Sequence, residues 1–181
     1  AMGRYEFQLN QNNGLKGRRR LWSLFLFGSP LKDMSLSLNY YKQIGRDDAP
    51  ASLQERSEEQ LNFRLLWRVR QWLSLYSQWR YDTNFELYLP FDGIESNSLA
   101  SVQGVKVSFS RKLEFLANYK LLRVWGPIEN RRESLAAEIG FLVQRHVRVG
   151  LGVEHIDYLD RQLTDADYRS TVGYFKLVVL Y

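Results

Sequence analysis

The chain has 181 residues, 25 Lys and Arg against 20 Asp and Glu for a net charge of +5, 45% hydrophobic and 14% aromatic residues, and no cysteine. That length fits one domain over 1–181 with a substantial core. The missing cysteines exclude a disulfide framework, a thiolate metal site and a cysteine nucleophile. No apolar run approaches the roughly 20 residues of a spanning helix, and the mean hydropathy of −0.39 looks soluble. A membrane barrel escapes both tests, because half of its residues face a wet interior.

Ala1-Met2-Gly3 resembles a cloning remnant, which leaves room for a signal peptide already removed. Tyr5, Phe7 and Leu9 then alternate with Glu6, Gln8 and Asn10, predicting a strand that ends at Asn12-Asn13-Gly14. Arg18 to Phe27 follows, but Leu24, Phe25, Leu26 and Phe27 are apolar on both faces and leave the inward side open. After a turn at Gly28-Ser29-Pro30, Leu36, Leu38 and Tyr40 alternate with Ser35, Ser37 and Asn39. Gly45 to Gln60 is predicted to be the longest polar connection.

The clearest segment is Leu61 to Arg70. Leu61, Phe63, Leu65, Trp67 and Val69 occupy one face, and Asn62, Arg64, Leu66, Arg68 and Arg70 the other. A short turn near Gln71 leads to Leu73, Leu75, Trp79 and Tyr81, alternating with Ser74, Tyr76, Gln78 and Arg80. Beyond a loop at Pro90 to Ser98, Val105, Val107 and Phe109 alternate with Lys106 and Ser108. An Arg111-Lys112 turn precedes Leu113, Phe115, Ala117, Tyr119 and Leu121, opposed by Glu114, Leu116, Asn118 and Lys120. Gly126 to Glu133 is predicted as loop, followed by Leu135 to Val143 and, past Arg145-His146, Val147 to Val153. The loop Leu159 to Asp167 precedes a last strand carrying Phe175, Leu177, Val179 and Tyr181.

This makes about ten strands with tight turns at Gly28, Gln71, Arg111 and Arg145 and longer connections at the other end. An even strand count puts both chain ends on the tight-turn side. The expected fold is therefore all-β, an antiparallel up-and-down transmembrane β-barrel.

The segment Ala136 to Leu159 is a strand pair with a two-residue turn and Gly150-x-Gly152, continued by Asp165-Ala166-Asp167-Tyr168 and closed on Tyr181. It resembles the last hairpin of the Gram-negative outer-membrane β-barrel superfamily. The resemblance implies a bacterial outer-membrane location. It also implies recognition of the terminal strand by the barrel-assembly machinery, with Phe175, Leu177, Val179 and Tyr181 at the matching spacing. Val178 and Leu180 make the other face oilier than that pattern, and the basic charge departs from the acidic balance more usual there.

With apolar faces outward, Phe63, Leu65, Trp67, Phe115, Ile139, Phe141, Val149, Leu151, Phe175, Leu177 and Val179 are expected to face membrane lipid. Arg64, Arg68, Arg70, Arg80, Lys106, Lys120, Arg148 and Lys176 then point into the lumen with Glu114, Glu138 and Glu154. Eight bases against three acids suggest an anion-preferring pathway; the competing expectation is an ion-paired plug, since narrow barrels fill with side chains. Arg18, Arg19 and Arg20 lie beside the first long connection, where guanidinium forks suit lipopolysaccharide phosphates or simply water. Trp22, Trp67, Trp72, Trp79 and Trp125 are expected at the membrane interfaces.

Signals for chemistry are weak. His146 falls in a tight turn, and His155, near Asp157 and Asp160, shares a face with Val149, Leu151 and Val153. An outer-membrane enzyme using His155 is the minor alternative, because a catalytic base needs an orienting partner and a cleft. No metal-ligand spacing, phosphate loop or nucleophile elbow is present, so neither a cofactor nor a metal is expected. A soluble barrel with an apolar ligand would turn the oily faces inward and crowd Arg64, Arg68 and Arg70 outside. A nucleic-acid binder should gather its basic residues in one stripe; here they are spread over many strands.

Overall fold

The computed structural model describes residues 2–12, 15–49, 52–88, 93–144, 147–162 and 166–179, with side chains described in 20–46, 55–87, 93–144, 147–162 and 166–179. Alternation becomes ten strands: β1 Met2–Asn12, β2 Leu15–Gly28, β3 Met34–Ala49, β4 Ser52–Arg70, β5 Leu73–Tyr88, β6 Ile94–Ser108, β7 Leu113–Trp125, β8 Asn130–Gln144, β9 Val147–Asp160 and β10 Tyr168–Val179. Each pairs antiparallel with its sequence neighbours, in the order β1 to β10. The fold is an all-β, up-and-down barrel. Among the described residues β1 and β10 make no contact with each other, so the ladder is open along that seam.

The structure departs from the sequence expectation at the connections. Gly45 to Gln60 is no loop: Gly45 pairs with Arg56 and Ala49 with Ser52, so β3 and β4 continue as a paired ladder. Ile94 to Ser98 and Asn130 to Glu133 are likewise strand. Polar residues on both faces look like loop in sequence, yet they stand on a hairpin that runs on past the alternating segments and still satisfies its backbone bonds. The long connections are thus mostly long strands.

Register settles the faces. Leu24 pairs with Tyr40 and Leu26 with Leu38, which puts Phe25 and Phe27 opposite Asn39 and Ser37 on the polar face. Curvature shows in side-chain reach and burial. Lys120 of β7 bonds Glu154 of β9, and Tyr174 of β10 bonds Glu138 of β8, each across an intervening strand. Such strands stand about 10 Å apart in a flat sheet, so the face carrying these contacts is concave. Ser134, Ala136 and Glu138 are buried there, whereas the alternate residues Leu135, Ile139 and Phe141 are 46–61% exposed on the convex side.

Candidate functional site: the polar concave face

The convex face is banded. On β8 its apolar run extends from Leu135 to Val143. That is about 27 Å along a strand, or roughly 21 Å of membrane depth at a tilt near 40°. Phe115, Ile139 and Leu151 lie side by side across three strands, and Leu38 and Phe63 across two. Beyond the band toward the longer connections the same face turns polar and aromatic. Lys42 pairs with Glu59 at 3.0 Å, Arg169 with Asp157 at 3.3 Å, and Arg123 covers the Trp125 ring at 5.8 Å. Tyr81 lies 6.0 Å from the same Trp125 ring. At the other end Trp72 and Phe109 are 54% and 68% exposed in the tight turns. An apolar belt between aromatic girdles is the outer surface of a membrane barrel. Trp79 is the exception among the tryptophans: its indole N–H donates to Ser77 Oγ at 2.9 Å within the band.

The concave face carries the polar chemistry. Glu114 binds Lys106 at 2.6 Å and also meets Arg148. Arg148 reaches Glu138 at 3.9 Å, and Glu138 in turn holds Lys176 at 3.6 Å and accepts the Tyr174 hydroxyl at 3.2 Å. This one cluster joins β6 to β10. Farther from the tight turns, Lys120 holds Glu154 at 2.9 Å. Asp82 accepts from Arg80 at 2.8 Å, from Gln60 at 2.8 Å and from Ser98 at 3.3 Å. Arg64 and Arg68 have no acidic partner among the described residues.

Glycines make room for this cluster. A Cβ at Gly140 would stand 2.7 Å from the Arg148 guanidinium, and one at Gly150 would stand 2.9 Å from a Glu138 carboxylate oxygen. Gly104 and Gly152 lie under the rings of Tyr76 and Tyr174, their register partners. The role of these glycines is a cross-strand one, visible once the register is known.

Most sequence-derived positions fall on the expected faces. Phe63, Leu65, Trp67, Phe115, Ile139, Phe141, Val149, Leu151, Phe175, Leu177 and Val179 share the convex register. Arg64, Arg68, Arg80, Lys106, Lys120, Arg148 and Lys176 share the concave one. Arg70 does not. A bulge between Arg68 and Arg70 shifts parity and sets Arg70 opposite the convex Leu73.

The expected excess of eight bases over three acids also shrinks, because Glu58, Asp82, Glu86 and Asp160 stand on concave strand positions. What survives is an axial separation. Near the tight turns Arg64, Arg68, Lys106, Arg148 and Lys176 face Glu114 and Glu138 among the described strand positions. Toward the other end Arg56, Arg80, Lys120 and Arg132 face Glu58, Asp82, Glu86, Glu154 and Asp160.

In β2, Arg18, Arg19 and Arg20 pair with Arg46, Gly45 and Ile44; the Arg18 and Arg19 side chains lie outside the described residues, as do His146 and Tyr181. His155 is on the convex face with Nδ1 2.9 Å from Thr171 Oγ1, while Asp157 is held by Arg169. Among the described residues no cluster of His, Cys, Asp or Glu could hold a metal. On β8 and β9 Leu135, Ile139, Phe141, Leu151 and Val153 lie outside the curve, opposite to what a soluble barrel with an oily interior would need.

No protein-family model matches the chain, and no curated protein matches it in sequence. Among solved structures, the outer-membrane expressed OmpT of Vibrio cholerae is similar, with a TM-score of 0.55 at 9% identity. The alignment covers 93% of this chain and 63% of that one, so this chain spans less than two thirds of its neighbour's length. The fold is that of an outer-membrane β-barrel protein.

Proposed function

We propose that this chain is an integral barrel protein of the bacterial outer membrane whose concave face lines an aqueous lumen, and that this lumen prefers anions at its tight-turn mouth. The supporting observation is the uneven pairing of charge. The β6–β10 side is cross-linked by ion pairs and packed polar groups, which is how a barrel fills itself. The β4 side carries Arg64 and Arg68 without acidic partners among the described residues. Unpaired guanidinium groups in a narrow, low-dielectric passage favour anions. Arg148, clamped by Glu114 and Glu138, serves packing in this reading.

The test is bilayer conductance with reversal potentials measured across a salt gradient. Wild-type protein should pass anions preferentially, and Arg64→Gln with Arg68→Gln should lower that preference. Insertion without current would make these residues packing elements; cation preference would refute the assignment of faces. Arg18, Arg19 and Arg20 are proposed to meet lipopolysaccharide phosphates at the opposite rim, through planar forks. Membrane lipid and the barrel-assembly machinery are the partners this reading requires, and no catalytic role is assigned.

A further inference from the structure

The tight-turn end of the concave face holds a cavity of about 910 Å³. Its floor is the β2–β3 turn, Ser29 to Asp33, and its walls are inward residues of β4 to β7. The cations on it are Lys32, Arg68 and Lys106, and the acid is Asp33. Neither Lys32 nor Arg68 has an ion-pair partner among the described residues, while Lys106 is shared with Glu114 at 2.6 Å. Neutral hydrogen-bonding groups, among them Ser74 and Tyr76, share the lining with the apolar Leu31, Leu66 and Leu116. The Tyr76 ring is seated over Gly104, so its hydroxyl is carried on a located side chain. Likewise the turn is anchored, because the Arg68 backbone N–H donates to the Asp33 carbonyl at 2.8 Å.

We infer that this cavity is a saturable binding site for a phosphate-class oxyanion, with the Arg68 fork as principal ligand and Lys106 and Lys32 as supporting charges. The chemistry is specific. A guanidinium offers paired N–H donors that match two oxygens of a tetrahedral anion, whereas a lysine contributes a point charge. A spherical monovalent anion cannot match the fork with two separate acceptor atoms, so oxyanions should be preferred over chloride. The inference rests on the proposed aqueous lumen and deepens it, but binding can be measured without any current.

Inorganic phosphate is titrated by calorimetry into the detergent-folded chain at constant ionic strength, with chloride replacing phosphate in the control. Saturable binding is expected, and Arg68→Gln should weaken it at least tenfold. Arg68→Lys should recover only part of that loss. Arg161→Gln removes one equal charge at the opposite rim, where Arg161 pairs with Glu129 at 3.0 Å, and should leave phosphate binding unchanged. Glu114→Gln frees Lys106 from its carboxylate and should tighten phosphate several-fold, which keeps the inference exposed should Arg68→Gln misfold. Equal weakening by Arg68→Gln and Arg161→Gln would reduce the effect to bulk charge and overturn the site. So would a response to phosphatidic acid vesicles with none to inorganic phosphate, since that is an interfacial headgroup site. A bilayer record without current alongside phosphate binding would defeat the pore and leave the binding site standing.

Discussion

Ile139 stands at the middle of the apolar run Leu135 to Val143, 56% exposed on the convex face between Phe115 and Leu151. Replacing it with arginine puts a guanidinium close to the bilayer midplane. The cost there is about 2–4 kcal/mol, falling toward zero at the interfaces, equivalent to roughly a 30- to 700-fold shift of the folding equilibrium. Phe141 lies two residues nearer the tight turn, about 5 Å shallower at the same tilt, so Phe141→Arg should cost less. The matched control is Val172→Arg. Val172 is 47% exposed but concave, directly opposite Glu154, which already holds Lys120. An arginine there stays hydrated beside a carboxylate and should change stability by no more than about 0.5 kcal/mol. Reversible denaturant unfolding in lipid micelles, followed by tryptophan fluorescence, measures all three. Equal destabilisation by Ile139→Arg and Val172→Arg would refute the division into lipid and lumen faces.

Gly104→Val should destabilise by about 1–3 kcal/mol, because the new side chain overlaps the Tyr76 ring. Adding Tyr76→Ala should relieve part of that cost, so a double-mutant cycle in unfolding experiments will be non-additive. Glu138→Gln leaves Arg148 and Lys176 facing each other without their shared carboxylate; with Lys176 half-exposed the loss should be about 1–3 kcal/mol, below that of a fully buried pair. Glu133 lies beyond the apolar band, and its hydrogen bond from Arg131 at 2.8 Å holds its carboxyl below the usual glutamate value of 4.5. That contribution is complete above the unfolded value and is lost as pH falls through the lower folded one. Stability curves of wild type and Arg131→Met should accordingly differ above about pH 5 and converge in acid.

The strands themselves were legible because alternation at period two is a local property. Leu61 to Arg70 shows its two faces without help from any neighbour, and a lipid-facing side must be apolar at every second position. The connections were not legible in the same way. Glu55, Glu58 and Glu59 look like loop, yet they belong to β4, because a paired hairpin above the membrane no longer needs an apolar face.

Local pattern also misassigned Arg70, where one bulged residue reverses parity without changing the residue sequence on either side. The site depended on register. Arg148 is separated in sequence from Glu114, and Gly152 from Tyr174, until pairing brings β7 to β10 together. By itself the sequence determined which residues share an apolar face, since that follows from one strand's own alternation. Only the tertiary structure decided which charges neutralise each other and which, like Arg64 and Arg68, have no acidic partner among the described residues. Ion pairing depends on distances across strands, and those distances are set by curvature and register.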